Sequence, residues 1–131
     1  MSGHAVRQFS GTSDFSDVSA ARRFVRAQLV NIDPDVSADL QLAVSELVTN
    51  AVEHGKADTV TVDIVCEDDE VVLMVTHSGS SDLLPDVDAW KTAPADAVAG
   101  RGLGIVRRLA TSVSVQNHDG RVSITVRRSL R

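Results

Sequence analysis

Leu40, Ala43, Val44, Leu47, Val48 and Ala51 recur at i, i+3, i+4, i+7, i+8 and i+11, the spacing with which a helix buries one face. That stripe sets the rotation of every residue between its members. At about 100° per residue, Glu46, Asn50 and Glu53 project together, roughly 90° around from the centre of the stripe, as a polar ledge beside the core. A carboxylate and a carboxamide one turn apart can hold a water with the first and offer an oxygen to a hard cation with the second. This suits Mg²⁺-assisted phosphoryl transfer. The same residues also describe an ordinary solvated helix face, and the helix alone leaves both readings open.

The rest of the chain bounds the setting. Its 131 residues, 43% of them hydrophobic, fit one domain with a single core. No run approaches the roughly 18 apolar residues that span a bilayer, and residues 1–9 lack the apolar stretch of a signal peptide, so the expected location is cytoplasmic, with no membrane partner. The single cysteine, Cys66, excludes an intramolecular disulfide framework and a multi-cysteine zinc site. A net charge of -5 argues against direct nucleic-acid binding, which needs a basic face. Arg22, Arg23 and Arg26 form a local basic cluster suited to solvent or to an acidic protein partner. His4, His54, His77 and His118 fall in separate elements with no H-E-x-x-H spacing, which argues against a metalloenzyme.

The pattern predicts a short edge strand at 5–9 and a helix capped by Ser16 or Asp17 and running to about Val30. The long helix then starts at Asp33 or Asp35 and ends on Gly55. Val60, Val62 and Ile64 alternate with Thr61, Asp63 and Val65 as a half-buried strand does, and 71–76 is apolar on both faces and therefore central. Residues 77–101 lose regular patterning and contain Pro85, Pro94 and Trp90. An irregular stretch of this length is expected to be functional, and it reads as a lid over about 78–101. A short helix at 102–110 and strands at 112–116 and 122–128 follow, the last two joined through Asp119-Gly120, a strong hairpin signal. Strand, helix, helix, strand, strand, lid, helix, strand, strand is an α+β order. It predicts a two-layer sandwich with helices on one face of a mixed, mostly antiparallel sheet.

Gly100-Arg101-Gly102-Leu103-Gly104 opens the short helix. Glycines at a helix start let phosphate oxygens approach free N–H groups at the positive end of the dipole. The run is neither a Walker loop nor the dinucleotide fingerprint, and on its own it also fits a hinge with a helix cap.

Taken in order, Glu46-x-x-x-Asn50-Ala51-x-Glu53-His54-Gly55, His77-x-Gly79 and Gly100-Arg101-Gly102-Leu103-Gly104-Ile105 resemble the N box and the two glycine boxes of the GHKL ATPases. Residues 42–55 are most similar to the small single-domain branch of anti-sigma-factor serine/threonine kinases, the RsbW and SpoIIAB type with its stand-alone actinobacterial members. The resemblance covers nearly the whole chain, 1–131, as one ATP-binding domain of Bergerat type. It implies ATP and Mg²⁺ as cofactors, Glu46 as general base, Asn50 as the Mg²⁺ ligand, and Glu53 and Arg101 at the nucleotide. Gly102, Leu103 and Gly104 would cradle phosphates through the backbone, with His77, Gly79 and Thr125 toward the adenine. His54 lies closer to the apolar stripe, where packing and ligand contact are both open. The implied partners are a STAS-type anti-sigma-factor antagonist, a sigma factor, and a second copy of the chain.

One departure divides the functional readings. The first glycine box of this superfamily has the form Asp-x-Gly-x-Gly, its Asp accepting from the adenine amino group, whereas this chain has His77-Ser78-Gly79-Ser80-Ser81. A neutral imidazole accepts one hydrogen bond and a protonated one accepts none. Leaving the buried adenine amino group unpaired costs about 1–3 kcal/mol, roughly ten- to a hundredfold in affinity. The chain is thus expected to be a kinase acting on an antagonist of an anti-sigma factor. The alternative is a degenerate member that works by stoichiometric binding.

Overall fold

The computed structural model describes residues 6–12, 14–54, 59–78 and 101–130. Its elements are β1 (Arg7–Gly11), α1 (Ser16–Gln28), α2 (Pro34–His54), β2 (Val60–Cys66), β3 (Glu70–Ser78), α3 (Arg101–Leu109), β4 (Ser112–His118) and β5 (Arg121–Ser129). The five strands form one sheet in the order β1-β2-β3-β5-β4, with every pairing antiparallel. The sheet, expected to be mixed and mostly antiparallel, is antiparallel throughout the described residues, and β3 is its middle strand. The expected lid, Gly55 and Gly79 lie outside the described residues, apart from Ser78 at the end of β3 and Arg101 at the start of α3.

Alternation along the strands decides which side chains meet the helices. Val71, Leu73, Val75 and His77 of β3 are buried. Leu73 stands between Ile64 and Val126, Val75 between Val62 and Ile124, and His77 between Val60 and Val122. These residues join Ala21 and Val25 of α1, Leu29 just past its end, the full predicted stripe of α2, and Leu103 and Val106 of α3 in one core. Burying each Val or Leu there contributes about 1.5–3 kcal/mol, so packing of the stripe, more than helix propensity, holds the ledge residues in place. On the opposite face of the sheet, Thr76 and Ser123 share a hydroxyl hydrogen bond of 3.0 Å.

The element ends show which local chemistry prevails. β1 runs two residues later than expected because Phe9 must sit beside Val62 and reach the Phe24 ring, 6.0 Å away between centroids. Gly11 can close that strand because a Cβ there would run into the Asp17 carboxylate. Neither Ser16 nor Asp17 caps α1 in the expected sense. Asp14 Oδ1 accepts from Ser16 N–H at 2.8 Å, and the buried Asp17 Oδ2 reaches back to Asp14 N–H at 3.0 Å, a split version of the capping box. At α2, Asp33 Oδ1 accepts from Asp35 N–H at 2.8 Å with Pro34 in the first helical position. Asp119 (φ 51°) and Gly120 (φ 75°) both adopt positive φ, the type I′ turn that matches sheet twist. That turn lets β4 and β5 run closer to it than 112–116 and 122–128.

Candidate functional site

The site builds outward from the polar edge of α2. Glu46 and Asn50 are half-buried and Glu53 is exposed, as the stripe requires. α3 packs across α2 and presents Gly102 to Glu46 so closely that a Cβ at 102 would overlap the Glu46 Oε2 atom. The glycine is therefore needed for this approach. Leu103 and Val106 anchor the other side of α3 in the core, which holds the helix start against the carboxylate. The first turn of α3 falls on Arg101-Gly102-Leu103-Gly104. Its N–H groups have no intrahelical acceptor and lie at the positive end of the helix dipole.

The second part lies at the end of the middle strand. His77 is 5% exposed, and its Nδ1 donates to the Ser78 carbonyl oxygen at 2.9 Å. Its Nε2 is buried with no partner among the described residues. His77 pairs with Val60, the first residue of β2, so it shares this end of the layer with the C-terminal end of α2, which leads into β2.

The structure thus brings Glu46 and Gly102 into direct contact, with Asn50 one turn along α2, while His77 stands at the end of the middle strand between Val60 and Val122. Thr125 does not join them. It pairs with Met74 and Ser114 and points to the sheet face away from the helices, because residues of β5 alternate and Ile124 and Val126 are the buried ones. The β5 residue opposite His77 is Val122. Arg101 opens α3 and His54 closes α2. What sequence reasoning missed is the Ser78 carbonyl. A main-chain acceptor leaves no trace in residue identity, although a histidine ending a central strand is a signal that such a partner must exist.

A separate cleft of about 170 Å³ between α1 and α2 is lined by Ser19, Arg22, Arg23, Arg26 and Gln41. It gathers the basic cluster seen in the sequence into one surface.

A family model described as "Histidine kinase-like ATPase domain" matches residues 11–128. The chain belongs to the histidine kinase-like ATPase family. Within that family it is 31% identical over 121 residues to the anti-sigma F factors of Geobacillus stearothermophilus and Geobacillus kaustophilus (strain HTA426), covering 84% of this chain and 80% of each relative. The similarity puts it with the anti-sigma-factor kinase branch. Its fold also matches the crystal structure of the RsbU and RsbW domains of Rv1364c from Mycobacterium tuberculosis, with a TM-score of 0.64 at 22% identity. That match covers 94% of this chain and 32% of the longer one. As a histidine kinase-like ATPase domain it has two features that fit a nucleotide: a glycine whose missing Cβ brings a helix start onto a carboxylate, and a buried ring nitrogen without a partner among the described residues. No helix among the described residues is long and apolar enough to cross a membrane.

Proposed function

We propose that the chain is an ATP-binding protein serine/threonine kinase of anti-sigma-factor type that phosphorylates an anti-sigma-factor antagonist and thereby regulates transcription. The contact between Glu46 and Gly102 carries this reading, because it sets a carboxylate directly against a backbone suited to phosphate. Glu46 takes the proton of the attacking hydroxyl. Asn50 offers its carboxamide oxygen to Mg²⁺, while Gly102, Leu103 and Gly104 hold phosphate oxygens through their N–H groups. The resemblance assigns Glu53 and Arg101 to the nucleotide, and His77 and Gly79 to the base. Mg-ATP, when bound, supplies the transferable phosphoryl group. The work left to the chain is positioning and charge neutralisation, which so few catalytic side chains can perform.

On this reading, residues 1–131 act as one cytoplasmic domain with a lid at about 78–101, and two copies associate. The arginine cleft of α1 suits an acidic surface on a STAS-type antagonist or a sigma factor. A second reading, stoichiometric partner binding without turnover, is favoured by His77 standing where the resemblance implies an aspartate.

Calorimetric titration with Mg-ADP and Mg-ATP separates the two. Binding in the micromolar range, with phosphate transfer to an antagonist that Glu46→Ala abolishes while sparing partner binding, supports the kinase. A folded protein that binds neither nucleotide leaves partner binding alone, and transfer undiminished in Glu46→Ala removes Glu46 from its role.

A further inference from the structure

Ser19, Arg22, Arg23 and Arg26 recur at i, i+3, i+4 and i+7 along α1, which at about 100° per residue gathers them within roughly 100° of arc. Ala21 and Val25 of the same helix turn to the core instead. With Gln41 of α2, the four residues line the cleft of about 170 Å³.

The cations of this face have nothing to pair with. No acidic residue stands three or four places from Arg22, Arg23 or Arg26, so the helix itself supplies no ion pair. All three are exposed, and none has a hydrogen bond or ion pair among the described residues. Arg127 and Arg128 differ, being paired with Glu70 and Asp39. Within the cluster, Arg22 and Arg26 at i, i+4 and Arg23 and Arg26 at i, i+3 repel one another. Arg26, in the last turn, gains from the helix dipole, but that gain does not reach back to Arg22 and Arg23. A chain of net charge -5 thus concentrates unneutralised positive charge around one recess, where the field of like charges adds.

We propose that this cleft is a binding site for a small inorganic diphosphate anion, separate from the nucleotide site. None of its lining residues belongs to the polar ledge of Glu46 and Asn50 or to the first turn of α3. Guanidinium forks match phosphate oxygens two bonds at a time. One phosphoryl group carries a charge of about -1.5 to -2 at neutral pH, which leaves part of the cluster unbalanced, whereas two linked groups balance all three arginines. The volume of about 170 Å³ lies below the roughly 300–1,000 Å³ of pockets that bury drug-sized ligands, so the recess takes a compact anion and not a whole nucleotide. Two neutral donors complete it. Ser19 offers a hydroxyl, and Gln41 Nε2 gives one hydrogen to Ser37 Oγ at 3.1 Å, which leaves its second amide hydrogen. An acidic protein surface draws on the same guanidiniums without entering the recess.

Calorimetric titration of the full chain with inorganic diphosphate, in magnesium-free buffer at fixed ionic strength, tests this. Wild type should bind one equivalent, with orthophosphate several-fold weaker, and the affinity should fall as salt is raised. Arg22→Gln and Arg26→Gln should each weaken diphosphate by about threefold or more, the upper range for an exposed ion pair, and the double variant by about tenfold. Since each substitution removes a like-charge contact, the variants should melt no lower than wild type without diphosphate. They should also lose most of the rise in melting temperature that diphosphate gives wild type. Undiminished binding by the double variant would put the anion elsewhere, the first turn of α3 included, and overturn the proposal. Equal affinity for diphosphate, orthophosphate and sulfate would mean an adventitious ion only and overturn it as well. Absence of binding overturns it and leaves the cleft to an acidic protein surface. The nucleotide reading stands or falls separately, on titration with Mg-ADP and Mg-ATP.

Discussion

The guanidinium of Arg128 on the last strand bonds Asp39 near the start of the long helix, and the same Nη1 donates to the Leu109 carbonyl at 2.8 Å. One side chain therefore ties α2, the C-terminal end of α3 and β5 together. Arg128 pairs with Val71 at the start of β3, so this tie lies at the end of the layer opposite His77.

Arg128→Met should lower stability by about 1–2 kcal/mol, the scale of hydrogen bonds to a charged group, moderated because the two side chains remain 23% and 33% exposed. Asp39→Asn should cost less, and the double variant less than the sum of the two, since they share one interaction. Urea midpoints measure this, and nucleotide affinity should be nearly unchanged because the site is at the other end.

Gly102→Ala tests the site without threatening the fold. The added Cβ overlaps the far end of the Glu46 side chain, which can swing away, and alanine is favoured over glycine in a helix by up to about 1 kcal/mol. Stability should hold or rise in a thermal melt, while nucleotide binding or phosphate transfer falls at least several-fold. An equal loss of both would mean that α3 itself had been displaced.

Gly120→Ala places a Cβ on a residue at φ 75° with open space around it. The penalty is therefore purely one of backbone conformation and should be about 1 kcal/mol. Asp119→Asn, which keeps a side chain tolerant of positive φ, should change the urea midpoint little.

Burial pushes the Cys66 thiol up from its ordinary value of 9.0. The folded state then holds the thiol proton more tightly than the unfolded chain does, so stability from this group is complete below that value and declines as pH rises through it. Denaturation at pH 8 and pH 10 should show a larger alkaline loss for wild type than for Cys66→Val. Equal losses would assign the decline to other groups.

The long helix and the Asp119-Gly120 hairpin are legible in the sequence because their signals are local: a 3.6-residue apolar period and a dipeptide that tolerates positive φ. The ledge of Glu46 and Asn50 follows from the same period. The face of Thr125 is legible too, because Val122, Ile124 and Val126 alternate with Ser123 and Thr125 and the period of two sets Thr125 on the side away from the core; the resemblance alone points it toward the nucleotide. The Asp14 and Asp17 exchange at α1 shows the limit of such reasoning. Several acidic and hydroxyl side chains near that start could cap it, and the choice rests on where Gly11 leaves room for a carboxylate. The Ser78 carbonyl is a main-chain group, and residue type says nothing about which side chain it will meet.

The strand order β1-β2-β3-β5-β4 has a consequence for synthesis. Of the five strands, the one synthesised last is inserted between β3 and β4, so until it arrives the middle strand presents an open edge of N–H and C=O groups. β4, which pairs with β5, likewise waits for its neighbour. A nascent chain stalled before Arg121 would be an unfinished sheet with its most apolar strand uncovered, the kind of species that chaperones hold and that aggregates when they do not.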